Sequence, residues 1–254
     1  MTVDHHQETI GHYGPRASAY VISAVHASGP DLDQLEALLT GRGSDRVLDL
    51  GCGGGHVSYR AAPHVGQVVA CDVTPAMIAA VLAEAAERGI GNIVGKVAPA
   101  EALPFDDASF DAVLCRFTAH HWSDLRAGLA EARRVSKPGA LLVFIDTVAP
   151  DDRASDTHLQ VVEYLRDPSH VRNYSVAELA DALSQASFAV ESRTVRTLHM
   201  DFAVWTQRTN TPPDKVAMLR RLQHEAGAEV RRQLVIGTDG SFDLEAATFA
   251  GSAL

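Results

Sequence analysis

Cysteine is scarce in this chain, long hydrophobic runs are absent, and each shortage excludes a class of protein. The three cysteines, Cys52, Cys71 and Cys115, form no C-x-x-C pair, so we expect free thiols in a reducing compartment rather than a disulfide framework. No stretch of about 18 apolar residues occurs, and a transmembrane helix needs roughly that many. Residues 1–16 lack a basic end followed by an apolar stretch and therefore do not resemble a secretory signal. We expect a cytoplasmic protein that does not associate with a membrane.

Basic residues are also in deficit. The chain has 22 Lys and Arg against 32 Asp and Glu, a net charge of −10, and such a surface repels phosphate. Nucleic acid is therefore not an expected partner. The 12 histidines show no metal-ligand spacing such as H-E-x-x-H, so no metal site is predicted.

The first half of the chain alternates strand and helix signals. Thr74-Pro75 and Ser123 are predicted to begin helices, and Pro138-Gly139 is predicted to form a turn. Apolar runs without polar alternation, separated by helices, indicate a parallel sheet covered on both faces. The predicted strands cover residues 46–50, 67–72, 92–98, 110–117 and 140–148.

The second half changes character after about residue 149. Helices are predicted over residues 154–167, 175–186 and 211–234, and strands over 188–198 and 240–252. A helical insertion after the fifth strand would lie over the carboxyl edge of the sheet, where ligands bind in open α/β folds. We interpret residues 1–254 as one domain in which segments 1–27 and 150–186 form a lid.

The stretch "RVLDLGCGGGHVS", residues 46–58, joins a strand to a glycine loop. Such loops let the backbone approach a ligand closely and offer it N–H groups. The pattern D-x-G-x-G-x-G runs from Asp49 through Gly51, Gly53 and Gly55, but His56 stands where a nicotinamide fingerprint has its last glycine. A carboxylate before the loop repels pyrophosphate and suits a ligand that carries an ammonium group.

A second acid supports this interpretation. Asp72 ends the second predicted strand, 21 residues beyond Gly51, where a carboxylate can accept both hydroxyls of a ribose. S-adenosylmethionine has a ribose and an amino acid but no phosphate, so it suits both acids. In the alternative interpretation the glycines only make a tight turn and Asp72 only caps the next helix.

These motifs resemble the class I S-adenosylmethionine-dependent methyltransferases, most closely the subgroup around the ubiquinone/menaquinone C-methyltransferases. The resemblance covers residues 40–148 and rests on "VLDLGCGGGHVS", "VVACDVTPAMIAAV", "APAEALPFDDASFDAVLCRFTAHHWSD" and "EARRVSKPGALLVFID". It implies an α/β, Rossmann-like, doubly wound sheet of seven strands in the order 3-2-1-4-5-7-6. Strand seven would be antiparallel and would correspond to residues 240–252.

The resemblance also implies a set of cofactor contacts. Asp72 would bind the ribose, the Arg116–Phe117 backbone would contact the amino-acid end, and Pro99 stands where the family usually has an acid. An aromatic ring attracts a sulfonium, and Tyr13 and Tyr20 would flank it, although Tyr20 equally suits the core. The cofactor-binding candidates are Tyr20, Asp49, Gly51, Cys52, Gly53, Asp72, Val73, Met77, Ala100, Glu101, Arg116 and Phe117.

The catalytic candidates follow the fourth strand. Methyl transfer requires alignment of the reactants and exclusion of water, and it requires a base only if the nucleophile must lose a proton. His120 or His121 would serve as that base or as an orienting donor; alternatively one caps the next helix and the other packs. The substrate-binding candidates are Tyr13, His121, Arg172 and Tyr174, the last two in "DPSHVRNYS" (167–175), which otherwise is a solvated turn.

The favoured function is methyl transfer from S-adenosylmethionine to a small organic acceptor, with S-adenosylhomocysteine as product. A methyltransferase-like binding or regulatory subunit without catalysis is one alternative. An NAD-type dinucleotide enzyme is another, and His56 and Asp49 argue against it. The sequence leaves open the acceptor, the methylated element and the oligomeric state, a homodimer included.

Overall fold

The computed structural model describes residues 4–21 and 27–254, and one mixed sheet organises them. Its strands are β1 (Arg46–Leu50), β2 (Gln67–Asp72), β3 (Ile93–Val97), β4 (Phe110–Arg116), β5 (Ser136–Ala149), β6 (Tyr174–Ser175), β7 (Phe188–Met200) and β8 (Phe242–Ala253). The path is 3-2-1-4-5-8-7, and the two-residue β6 pairs with the end of β5. Strands β1 to β5 are parallel, whereas β8 is antiparallel to both neighbours. The predicted α/β Rossmann-like topology is confirmed, since β7 and β8 are the predicted sixth and seventh strands.

Helices cover both faces of the sheet because the strands carry apolar side chains on both. They are α1 (His5–Tyr13), α2 (Ala17–Val21), α3 (Pro30–Leu38), α4 (His56–Ala61), α5 (Pro75–Glu87), α6 (Leu125–Val135), α7 (Arg153–Arg166), α8 (Val176–Gln185), α9 (Phe202–Arg208), α10 (Pro213–Glu225) and α11 (Ala228–Gln233). Helices α6 and α8 pack on one face, and α3, α4 and α5 pack on the other. A third core around Trp205 joins α7, α9, α10 and α11 to β8. No helix of the described ranges is long and apolar enough to cross a membrane.

The period of two along β1 determines which way Asp49 points. Leu48 and Leu50 enter the core shared with α6, whereas Val47 enters the core shared with α4. Asp49 therefore faces α4, where Ser58 lies.

Some predicted element boundaries are wrong. Asp124 rather than Ser123 caps α6, because its carboxylate accepts the Ala127 N–H at 3.0 Å. The predicted turn at Pro138-Gly139 lies inside β5, where Gly139 takes a φ of +74° and the register with β4 shifts.

Two helices also differ from the prediction. The helix predicted over 211–234 is divided at Ala226 and Gly227 into α10 and α11. Helix α9 has only seven residues, so its apolar periodicity is too short to recognise, although its cap Asp201 is a usable signal.

Gly128 tests the packing of α6. A Cβ at Gly128 would lie 2.4 Å from the buried Trp122 ring, whereas a Cβ at Gly11, in α1, would meet nothing within 4 Å. We expect Gly128→Ala to lower the free energy of unfolding by about 1–3 kcal/mol through overpacking. The control Gly11→Ala should leave it unchanged or raise it slightly, since alanine favours a helix. Urea unfolding followed by circular dichroism measures both, and wild-type stability in Gly128→Ala would show that Trp122 moves aside freely.

Candidate active site

One cleft opens at the carboxyl ends of β1, β2 and β4, and α1 and α2 cover it. The Tyr20 carbonyl of α2 accepts a hydrogen bond from His56 Nε2 at 2.9 Å and lies against Gly54. The cleft is lined by these sequence-predicted residues: Tyr13, Tyr20, Asp49, Gly51, Cys52, Gly53, Asp72, Val73, Met77, Ala100, Glu101, Arg116, Phe117 and His121. It is not lined by His120, Arg172 or Tyr174.

The glycine loop has a different reason for glycine at each position. A Cβ at Gly51 would overlap the Thr118 side chain, and one at Gly54 would overlap the Tyr20 carbonyl. At Gly53, where φ is +48°, a Cβ would meet no protein atom within 4 Å. Because Gly53 lines the cleft, a side chain there would enter the space of a ligand rather than the protein.

Asp72 fixes this loop to the end of β2. Its Oδ2 accepts the Gly53 N–H at 2.9 Å, and its Oδ1 accepts the Thr74 N–H at 2.8 Å. A carboxylate can accept about four hydrogen bonds, so capacity remains for two hydroxyls. Burial raises the pKa of Asp72 despite these bonds.

Asp49 is a buried carboxyl, 1% exposed, beneath the same loop. The Ser58 hydroxyl of α4 donates to its Oδ2 at 2.6 Å. Burial raises its pKa to about 7, and the bond from Ser58 only partly opposes this. A cation arriving in the cleft would favour the ionised form.

Arg116 and Phe117 mark the end of β4. The Arg116 guanidinium Nε donates to Asp31 Oδ2, at the start of α3, at 2.5 Å, so this side chain joins the cleft to α3. Phe117 takes a φ of +53°, an uncommon conformation for a non-glycine residue, and its N–H is held by the Ile145 carbonyl at 2.8 Å.

Glu101 connects the cleft to α1. Its Oε1 accepts bonds from the N–H and the hydroxyl of Ser123, both at 2.8 Å, and its Oε2 lies 3.3 Å from His6 Nε2. Burial would raise the pKa of Glu101, but these bonds outweigh burial and lower it.

His120 and His121, neighbours in a 3-10 turn (Ala119–His121), lie in different environments. His120 Nδ1 donates to Asp146 Oδ1 at 2.6 Å behind the cleft. Burial would lower the pKa of His120, but the Asp146 carboxylate outweighs burial and raises it. His121 reaches the cleft, where burial and the nearby His120 lower its pKa to about 3.

Tyr13 and Tyr20 form an aromatic corner over the cleft. Their ring centroids are 5.3 Å apart with the rings edge to face, and the Tyr13 ring makes a similar contact with His121 at 5.3 Å. Tyr20 is partly exposed to the cleft, so it is not simply a core residue.

In the segment 167–175, the predicted residues Arg172 and Tyr174 lie outside the cleft. Arg172 pairs with Asp156 at 3.0 Å and Glu178 at 3.4 Å, and Tyr174 lines a separate surface groove. Asp167, which is not among the sequence-predicted site residues, is fully buried and accepts the Tyr13 hydroxyl at 2.6 Å. Its place directly after an amphipathic helix and before Pro168 was the available signal.

All three cysteines are free and buried, and burial raises the pKa of each thiol. Within residues 4–21 and 27–254, no three His, Cys, Asp or Glu side chains are arranged to hold a metal ion.

Comparison with known proteins identifies the family. Residues 48–144 match the model of a methyltransferase domain. The chain is 32% identical to the methyltransferase YcgJ of Bacillus subtilis over 94% of this chain and 96% of the relative. The crystal structure of YcgJ superposes with a TM-score of 0.84 over 88% of this chain and 97% of that one. The chain belongs to the class I S-adenosylmethionine-dependent methyltransferases.

Other relatives of this methyltransferase cover less of it. The protein YafE of Escherichia coli is 38% identical over 74% of this chain and 91% of its own length. A ubiquinone/menaquinone biosynthesis C-methyltransferase of Citrifermentans bemidjiense is 38% identical over 42% of this chain and 48% of its own.

The cleft of the methyltransferase suits S-adenosylmethionine. Gly53 leaves open the space beside the loop, and Asp72 keeps acceptor capacity for ribose hydroxyls. Burial raises the pKa of Asp49, and a positively charged ligand group in the cleft would oppose this rise.

We expect Asp49 to make the stability of the protein depend on pH. Because its pKa rises from 3.8 to about 7 on folding, the folded state holds a proton that the unfolded state has lost between these values. The free energy of unfolding therefore falls as pH rises through this window. We therefore expect the free energy of unfolding of Asp49→Asn, relative to that of the wild type, to rise between pH 5 and pH 7. The rise should be on the order of 2 kcal/mol.

Urea unfolding of cofactor-free protein at pH 5, 6, 7 and 8 measures this gain. Asp151→Asn, in an exposed loop, is the control and should follow the wild type at every pH. If Asp49→Asn also follows the wild type, Asp49 is ionised throughout and its burial is overcome by other groups.

Proposed function

We propose that this methyltransferase methylates a small organic acceptor held beneath α1. The observation that carries the proposal is that Tyr13, Tyr20 and His121 line the same cleft as Asp49, Gly53 and Asp72. Helix α1 covers that cleft through His6, which pairs with Glu101, and His5, whose Nε2 donates to the His121 carbonyl at 2.7 Å. A covered cleft favours a small acceptor over a macromolecule, and the net charge of −10 disfavours nucleic acid.

Each part of the cofactor has a proposed partner. Asp72 accepts the two ribose hydroxyls, and Asp49 attracts the ammonium group beneath the glycine loop. The backbone of Arg116 and Phe117 borders the amino-acid end. The proposed adenine surface consists of Val73, Met77, Ala100 and the Glu101 region.

S-adenosylmethionine supplies an activated methyl group, so the protein mainly aligns the reactants and excludes water. The rings of Tyr13 and Tyr20 present aromatic surface to the sulfonium, an arrangement that attracts a cation. In this proposal His121 meets the acceptor, because it lines the cleft and His120 does not. His120 instead supports this turn from behind through Asp146.

Segments 1–27 and 150–186 act as the lid in this proposal. Of the first segment, residues 1–3 and 22–26 lie outside the described residues. The support comes from α1 and the turn after α7, which meet through the Tyr13–Asp167 bond over the cleft.

Gly53 and Asp72 provide the test of cofactor binding. We expect Gly53→Val to weaken S-adenosylhomocysteine by 100-fold or more, because the side chain occupies ligand space. Asp72→Ala should weaken it by about 1–3 kcal/mol, since two hydroxyls lose a charged acceptor. Isothermal titration calorimetry measures both.

Gly89→Val is the matched control for Gly53→Val. Gly89 also takes a positive φ, +69°, and a Cβ there also meets no atom within 4 Å, but it lies at the end of α5 away from the cleft. Gly89→Val has the same kind of backbone strain but places no side chain in the ligand space. It should therefore bind S-adenosylhomocysteine with wild-type affinity. Equal affinities in the wild type, Gly53→Val and Gly89→Val would place the cofactor elsewhere.

The lid is tested by amide hydrogen exchange. Cofactor binding should slow exchange in residues 4–21 and 150–186 more than in β1 to β5, because lids belong to the less stable parts of a structure. Exchange in both segments that does not respond to S-adenosylhomocysteine would contradict the lid and leave methyl transfer standing.

A further inference from the structure

A continuous chain of polar contacts links His121 to Asp167 through Tyr13. The Tyr13 hydroxyl lies 2.6 Å from Asp167 Oδ2 and 3.1 Å from His121 Nε2. On its other side, the His121 Nδ1 lies 3.0 Å from the Ser169 carbonyl oxygen. Tyr13 and His121 both line the cleft, whereas Asp167 is fully buried behind them.

The hydrogen atoms available to these polar contacts can be counted. A carbonyl oxygen only accepts, so the Ser169 carbonyl places the hydrogen of neutral His121 on Nδ1. Nε2 then carries a lone pair. The Ser169 hydroxyl is engaged as well, because it donates to Asp167 Oδ1 at 2.6 Å.

Asp167 is ionised and brings no hydrogen. Three donors converge on its carboxylate, namely the Ser169 N–H at 2.9 Å, the Ser169 hydroxyl at 2.6 Å and the Tyr13 hydroxyl at 2.6 Å, and these bonds favour the ionised form. The single Tyr13 hydrogen can therefore occupy either the contact with Asp167 or the contact with His121, and the 2.6 Å distance to a carboxylate favours the former. One of the two contacts lacks a proton in either arrangement.

We propose that the Tyr13–His121 pair accepts the proton that the methyl acceptor loses, and hence that the acceptor is protic at the atom that is methylated. The acceptor atom is then an O–H, N–H or S–H group or an acidic C–H. This inference rests on the proposed methyl transfer to a small acceptor and adds to it the chemical class of that acceptor.

The step balances in atoms and charge. The bond between the nucleophile and the methyl carbon forms while the sulfur–methyl bond breaks, and the sulfur keeps the electron pair. The proton of the nucleophile goes to His121 Nε2, directly or through the Tyr13 hydroxyl. Nε2–H then donates to Tyr13 and Tyr13 donates to Asp167, so both contacts are filled.

The total charge of the cleft is unchanged by this step. Before transfer the cation is the sulfonium, burial keeps the His121 ring neutral, and the contact of Nδ1 with the Ser169 carbonyl leaves the lone pair on Nε2. After transfer the sulfonium charge is gone and the imidazolium replaces it. The groups that face His121 are Asp167, which favours the imidazolium, and His120 and His170, which oppose it when charged.

Nitrogen NMR of histidine-labelled protein tests the hydrogen count without any acceptor. In the complex with S-adenosylhomocysteine at pH 7, we expect His121 to be neutral with its hydrogen on Nδ1. Its signals are assigned by their loss in His121→Asn. A hydrogen on Nε2, or a doubly protonated ring at pH 7, would overturn the proposal, because Nε2 would then have no room for a proton.

Kinetics with the acceptor found by screening S-adenosylmethionine against small molecules provides the second test. We expect His121→Asn to lower kcat by about 100-fold or more at pH 7, with unchanged cofactor affinity. The loss should shrink as pH rises and the acceptor ionises unaided. The variant His64→Asn is the control and should behave as the wild type, because His64 pairs with Glu36 outside the cleft.

A loss of equal size at every pH would indicate a structural role for His121 and overturn the proposal. An acceptor without a removable proton, such as a thioether or a tertiary amine, would overturn it too, while confirming methyl transfer itself. Failure of S-adenosylhomocysteine to bind would instead contradict the proposed function, so the two failures are distinguishable.

Discussion

The site depends on the way in which the glycine loop is fixed to the end of β2. The N–H groups of Gly51 and Cys52 both donate to the Cys71 carbonyl, at 2.8 and 2.9 Å, and the Gly53 N–H donates to Asp72 at 2.9 Å. Three consecutive donors are thus satisfied by one neighbouring strand. The loop is held open in a left-handed conformation that leaves the space beside Gly53 to a ligand. The same Asp72 that holds the loop is then available to the ligand, so loop shape and ligand contact are coupled.

Helix α1 joins three separate parts of the chain over this loop. His5 contacts the turn after β4, His6 contacts Glu101 after β3, and Tyr13 contacts Asp167 after α7. Because these contacts are polar and partly buried, α1 brings hydrogen-bonding groups to the cleft as well as covering it. The same helix therefore closes the cleft and supplies polar groups to it.

The sequence predicted the sheet well, and the glycine loop and Asp72 do line one cleft, because those signals are local. An apolar run, a glycine loop and an acid at the next strand end all lie within residues 46–72. The acceptor side was harder, since Tyr13 and Asp167 are 154 residues apart and meet only through tertiary packing. The difference between His120 and His121 likewise depends on Asp146, 26 residues away on β5. Spacing alone contains no information on which neighbour of such a pair turns toward the cleft.

The place of β8 in the sheet has a consequence for how the molecule is assembled. Within the described residues, β7 is hydrogen-bonded along the sheet to β8 alone, and β8 fills the position between β5 and β7. Strand β7 therefore cannot join the sheet until residues 242–253 are available, although β1 to β5 can pair before them. Pairing between distant parts of a chain is slow to form. The core around Trp205, which β8 completes through Phe242 and Leu244, should accordingly be the last part of the protein to become ordered during synthesis.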